Sequence, residues 1–295
     1  MKRYLILFFL LCFNQVSAQS LKTNKGKVNG VTFKYHYFEP SDNKKGIVIL
    51  LPGSGEKYQN VLTKLSLSKL LFNQGFVVIV PEVHTLLYAD VYSINILDEL
   101  LQIMVKTYGT KKVILGGFSS GGAIATRYAE YLISKNTSID LKGLFVVDPP
   151  LDLQRVYAAG DRMAHNCDGI IKKQGLNIKA QLENAFGGSP DQQRQQYYNH
   201  SAFIANISDG GNARFLKDLP IRLYSEPDLD FVQKNYCDRL QLNDINATDL
   251  EALQKFLVNA GSTVSQYITT KGKGFHSWNI IDPDNCLKWI IEISS

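Results

Sequence analysis

The stretch "KVILGGFSSGGAIATRYAEYLI", Lys112 to Ile133, joins an apolar run to a helical pattern through a glycine-rich turn. It contains G-x-S-x-G, a motif too short to mean much without its setting. Here the setting is specific. A strand-like run ends at the motif and a helical stretch begins directly after it, the arrangement a nucleophile elbow requires. A serine held in a strained turn between a strand and a helix needs small residues two before and two after it. Ser119 has Gly117 and Gly121 at those positions, whereas Ser120 has Phe118 and Gly122. Ser119 is therefore the candidate nucleophile. Ser120 is expected to offer its backbone N–H to a developing oxyanion at the first turn of the helix, where the dipole favours negative charge.

Apolar β-type runs recur on both sides of this stretch and within it, at 31–38, 46–51, 76–81, 112–118, 143–148, 221–225 and 264–269. Several are continuously apolar and β-branched, as strands buried on both faces of a parallel sheet are. Helical patterns lie between them. In 91–107, Leu97, Leu100, Leu101 and Met104 share one face. Near the C-terminus, Asp282 fits an N-cap and Pro283 the first helical position. This alternation predicts an α/β fold with a doubly wound, mostly parallel sheet. The exception is about 151–219, which has no strand signal and is rich in Gln, Asn, Asp and Arg. At that length a plain loop is implausible, and Phe186, Tyr197, Tyr198, Phe203, Ile204 and Phe215 supply apolar groups to bury. It is read as a helical lid or cap insertion after the sixth strand.

The 295 residues carry 45% hydrophobic and 20% charged side chains, the composition of a globular protein with a substantial core. A formal charge of +5, two units of it from Lys2 and Arg3, is too mild for nucleic-acid recognition. "MKRYLILFFLLCFNQVSA" (1–18) has the charged start, short apolar stretch and small residues of a secretory signal peptide. The apolar stretch is too short to span a bilayer, so the expectation is an exported domain over 19–295, cleaved near Ala18, with no stable membrane insertion. Cys167, Cys237 and Cys286 remain after cleavage, and Cys237–Cys286 is the preferred disulfide pairing. Asn136, Asn199, Asn206 and Asn246 each begin an N-x-S/T sequon. No metal-ligand spacing and no phosphate loop is present, so no cofactor is expected.

The elbow, the order of strands and helices, the insertion and the late histidine together resemble the α/β-hydrolase superfamily over nearly the whole mature chain. That resemblance implies a Ser…Asp/Glu…His order of catalytic residues. His276, in "KGKGFHSWNIID", sits where the superfamily places its general base, between the last strand and the last helix. Asp228, in "LPIRLYSEPDLDFV", best fits the acid beyond the seventh strand. Glu226 and Asp230 lie within reach of a shifted loop, and Asp148 holds the sixth-strand position that some members use instead. The oxyanion loop corresponds to "LLPGSGE", with Pro52 where His is usual and Ser54 or Gly55 as the second N–H donor. His84, at a strand end, and Asp148 are candidate pocket residues, while His36, His165 and His200 lie in an early strand or the insertion. The implied activity is hydrolysis of a small-molecule carboxylic ester through an acyl-enzyme. A peptidase or thioesterase of the same fold, or a non-catalytic binding protein on this scaffold, remains open, as does the oligomeric state.

Overall fold

Strand β3 (Gly46–Leu51) explains the architecture: all six residues are buried, because the strand is covered on both faces. Its side chains alternate. Ile47, Ile49 and Leu51 face one apolar cluster, while Val48 and Leu50 face another. The computed structural model describes residues 19–41 and 44–295. The expected signal peptide and Cys12 lie outside them.

Among the described residues, eight strands form one sheet: β1 (Lys22–Val28), β2 (Val31–Phe38), β3, β4 (Phe76–Pro81), β5 (Lys112–Phe118), β6 (Asp140–Val147), β7 (Ile221–Ser225) and β8 (Ser265–Thr269). Their order is β1-β2-β4-β3-β5-β6-β7-β8. Pairings β1–β2 and β2–β4 are antiparallel, and all others are parallel. The first strand escapes sequence reading because "KTNKGKV" is polar, and only Gly26 in it is buried. On one face of the sheet lie α3 (Val91–Tyr108), α4 (Ser120–Ser134) and α9 (Ala247–Asn259). On the other lie α1 (Tyr58–Lys64), α2 (Ser66–Asn73) and α10 (Pro283–Ser294). The expected cap is in place: Asp282 accepts from Asn285 N at the start of α10. At the start of α3, Asp90 accepts from Ser93 N.

The region 151–219 is helical, with α5 (Leu153–Asn166), α6 (Gly169–Phe186), α7 (Arg194–His200) and a 3-10 turn at Gly211–Leu216. Leu153, Val156, Leu182, Phe186 and Tyr197 give it an apolar cluster of its own. Helices α5 and α6 pack tightly, since a Cβ on Gly175 would lie 2.4 Å from Gly160 O. A further helix, α8 (Leu229–Asn235), follows β7.

Cys237 pairs with Cys167, not with the expected Cys286. The reason is topological. Cys286 sits on α10, fully buried under the sheet, whereas Cys167 ends α5 on the same side as the segment after α8. Burial pushes the Cys286 thiol up to about 12. Among the described residues, no helix is long and apolar enough to cross a membrane.

Candidate active site

Two adjacent parallel strands deliver two of the key side chains. Phe118 of β5 is in register with Val147 of β6, so the next residues, Ser119 and Asp148, emerge side by side at the C-terminal edge of the sheet. This is where open α/β sheets bind ligands, beside the point at which the strand order reverses. The ladder continues one residue past each strand, with Ser119 N donating to Val147 O and Asp148 N to Tyr224 O. The elbow is as crowded as its glycines imply. A Cβ on Gly117 would lie 2.4 Å from Gly121 O, and one on Gly121 would lie 2.2 Å from Leu51 O.

Among the described residues, five that are not glycine have positive φ: Asn29, Asn136, Ser119 (51°), Asp148 (47°) and His276 (53°). Asparagine, aspartate and histidine enter that region more readily than other side chains, though at some cost. Ser119, with ψ −124°, lies outside the left-handed well, so of Ser119, Asp148 and His276 the serine is the most unusual. All three are site residues. Local strain of this kind persists only where the surroundings over-determine the backbone.

The three side chains form a hydrogen-bonded chain. Ser119 Oγ lies 3.0 Å from His276 Nε2, and His276 Nδ1 lies 2.5 Å from Asp148 Oδ2. The consistent protonation is Nδ1–H donating to the carboxylate and Nε2 accepting from the serine hydroxyl. Asp148 is 5% exposed and His276 36%. The second carboxylate oxygen of Asp148 accepts from Ser225 Oγ at 3.2 Å, and its backbone oxygen accepts from Asn246 Nδ2 at 3.0 Å.

The acid facing His276 is thus Asp148, and Asp228 has a different place. Asp228 lies three residues beyond the end of β7, where its carboxylate caps α8 by accepting from Phe231 N at 2.9 Å. Asp230 is exposed in the first turn of that helix. Glu226 is buried, but its carboxylate accepts from Thr270 Oγ1, Lys273 N and Gly274 N.

The loop after β3 runs beside the nucleophile: a Cβ on Gly53 would lie 3.4 Å from Ser119 Cβ. Gly53 to Glu56 form a turn closed by Glu56 N donating to Gly53 O, with Gly55 at φ 79°. The Gly53 N–H is committed to Glu56 Oε2 at 2.7 Å, and the same oxygen accepts from Trp278 Nε1. This leaves the exposed Ser54 and Gly55 as the loop's forward positions. Ser120 N is the first N–H of α4, which has no intrahelical acceptor. Ser120 Oγ is buried without a partner. His84 stacks on Tyr92 and binds Asp90 Oδ2 at 2.7 Å; it does not line the cavity at Ser119.

That cavity holds about 310 Å³ and reaches from Ser119, Asp148 and His276 between α5, α6 and α8. Val156, Ala159, Met163, Ile171, Ile178 and Val232 supply apolar wall, and Phe275 stands beside His276. Arg155 also lines it, but its guanidinium is occupied by a two-pronged pair with Asp249, at 2.6 and 2.7 Å, and by Asn246 Oδ1. Burial disfavours the Arg155 charge, yet Asp249 more than compensates and holds it above its ordinary range. Asp244 is similarly paired with Arg162. The charges around the cavity are therefore largely matched within the protein, and the void is lined by this apolar wall together with the polar groups of Gln174, Tyr236 and Asn246. None of the apolar wall residues carries a local sequence signal. They are ordinary apolar helix positions that only tertiary packing brings to Ser119.

The sheet order, the elbow and the Ser119–His276–Asp148 geometry define the class: the chain has the α/β-hydrolase fold. Among solved structures it is similar to a thermostable esterase from Pseudomonas putida, with 16% identity, 95% of this chain and 82% of that one covered, and a TM-score of 0.59. It is also similar to carboxyl esterase 2 from Tuber melanosporum (13%, 95% and 87%, 0.61). A third is the acylaminoacyl peptidase from Pyrococcus horikoshii (11%, 95% and 42%, 0.62). No family model matches the chain, and no curated protein matches it by sequence.

Proposed function

We propose that this protein is a serine hydrolase of carboxylic esters carrying an apolar group that fills the cavity beside Ser119. The observation that carries the reading is the continuous chain Ser119–His276–Asp148, with every member on a strained backbone at the sheet's C-terminal edge. Ser119 Oγ attacks the ester carbonyl carbon as His276 Nε2 takes the hydroxyl proton. Asp148 holds the imidazole in the tautomer that accepts at Nε2 and stabilises the imidazolium that forms. The N–H groups of Ser120 and of the Ser54–Gly55 turn receive the oxyanion, an interaction worth about 3 kcal/mol of barrier per donor. His276 then returns its proton to the leaving alcohol. Water, deprotonated by His276, attacks the acyl-enzyme and frees the acid and Ser119.

The esterase neighbours fit this reading, and the matched charges around the cavity favour an uncharged acyl or alcohol group. The signal-like leader supports export, and the Cys167–Cys237 disulfide is consistent with an oxidising compartment. A fluorophosphonate probe tests the reading directly. The expected result is stoichiometric labelling of Ser119, abolished in Ser119→Ala and His276→Ala, together with turnover of chromogenic esters in preference to thioesters and aminoacyl amides. Absence of labelling in folded protein would instead identify a binding protein built on this scaffold.

A further inference from the structure

The end of β7 carries two neighbouring residues that reach opposite halves of the acid–base pair. Ser225 Oγ donates to Asp148 Oδ1 at 3.2 Å. Glu226, 4% exposed, turns its carboxylate to the loop that follows β8 and leads to His276. Its Oε2 accepts from Thr270 Oγ1 at 2.9 Å and Lys273 N at 2.8 Å, and its Oε1 accepts from Gly274 N at 3.3 Å. Thr270 N also donates to Ser225 O, so the loop is stitched to β7 from its first residue.

The loop needs such a fastening. Gly272, Gly274 and His276 all have positive φ, at 73°, 116° and 53°, so no regular ladder holds this backbone. A buried carboxylate with several acceptor sites can take all three donors at once. Charge-assisted bonds of that kind are stronger than neutral ones. One residue, Phe275, separates the last clamped N–H, at Gly274, from His276.

We propose that Glu226 is a positioning residue for the general base: its carboxylate sets the 270–274 loop so that His276 Nε2 meets Ser119 while Nδ1 meets Asp148. The inference rests on the reading of Ser119, His276 and Asp148 as the catalytic group. A carboxylate at the end of β7 thus serves the histidine through its loop backbone, while the carboxylate that touches the imidazole comes from β6.

Steady-state hydrolysis of p-nitrophenyl butyrate by the full chain tests it, at a temperature well below each variant's unfolding midpoint. Glu226→Gln keeps the side-chain shape but loses the charge and turns one of the two acceptor oxygens into an NH2 group, which then faces either Gly274 N or the Thr270 and Lys273 donors. The expected result is a kcat lowered about 10- to 100-fold with KM within about twofold, since a misplacement of about 1 Å costs on this order. Thr270→Val removes one clamp donor without changing shape. It should lower kcat in the same sense but less, and Thr270→Ser should restore it. If Glu226→Gln fails to fold, the Thr270 pair decides the matter alone. Wild-type kcat in a folded Glu226→Gln, or in Thr270→Val, overturns the inference, as does a loss confined to KM. Ser119→Ala separates the two failures: if it still turns over ester, the catalytic reading itself falls, whatever Glu226 does.

Discussion

Asp148 and Asp228 are both aspartates just beyond strands, and their different surroundings assign them different work. With Asp148→Asn, the amide can no longer hold the imidazole tautomer that accepts at Nε2, and kcat is expected to fall about 10⁴-fold with the fold intact. Asp228→Ala removes only the α8 cap, so the expected result is a loss of about 1 kcal/mol in denaturant unfolding and no change in kcat. A buried acid elsewhere provides a pH signature. Glu130 on α4 is fully buried against Arg127, with one carboxylate oxygen unpartnered. Burial pushes its carboxyl up to about 8, against the pull of Arg127. Its folded-state value lies above the unfolded one, so its contribution to stability is full below the unfolded value and is lost as pH rises toward about 8. The slope between those limits is up to about 1.4 kcal/mol per pH unit. Urea unfolding of wild type and Glu130→Gln between pH 5 and 9 checks this: the variant should gain on the wild type steadily up to about pH 8 and then run parallel.

At the scale of elements, α5 and α6 build one wall of the cavity, and their close crossing at Gly160 and Gly175 fixes its width. Ala159 faces the void from α5. Ala159→Phe should fill part of it and lower the ratio of kcat/KM for octanoyl over acetyl esters at least about 10-fold, as methylenes worth about 1–3 kcal/mol each lose their site. An unchanged ratio would place the acyl group elsewhere. The elements also explain what was legible in advance. The elbow could be read because its demands are local: a strand, two glycines and a helix within a few residues. His276 and the α10 cap were legible for the same reason. The acid was not, because which carboxylate meets His276 depends on the β5–β6 register and on α8 drawing Asp228 into its first turn. Strand β1 was invisible because an antiparallel edge strand facing solvent needs no apolar pattern. The partner of Cys237 was missed because helices α5 and α8 meet only in the folded chain.

Across the whole molecule, the Cys167–Cys237 bridge closes a 70-residue separation and ties the end of α5 to the segment after α8. Met163, Ile171 and Val232, in the same apolar cluster, also line the cavity. The double variant Cys167→Ser/Cys237→Ser is expected to lose about 2–4 kcal/mol in denaturant unfolding. Cys286, shielded under the sheet, should stay unreactive to thiol reagents until the chain unfolds. The positive-φ backbone at Ser119, Asp148 and His276 has a wider consequence. Glycine would ease the backbone there, but it would delete the hydroxyl, carboxylate or imidazole and, at Asp148, leave buried Ser225 Oγ without its acceptor. Any engineering of this scaffold for robustness therefore has to hold these three residues fixed and seek its gains elsewhere.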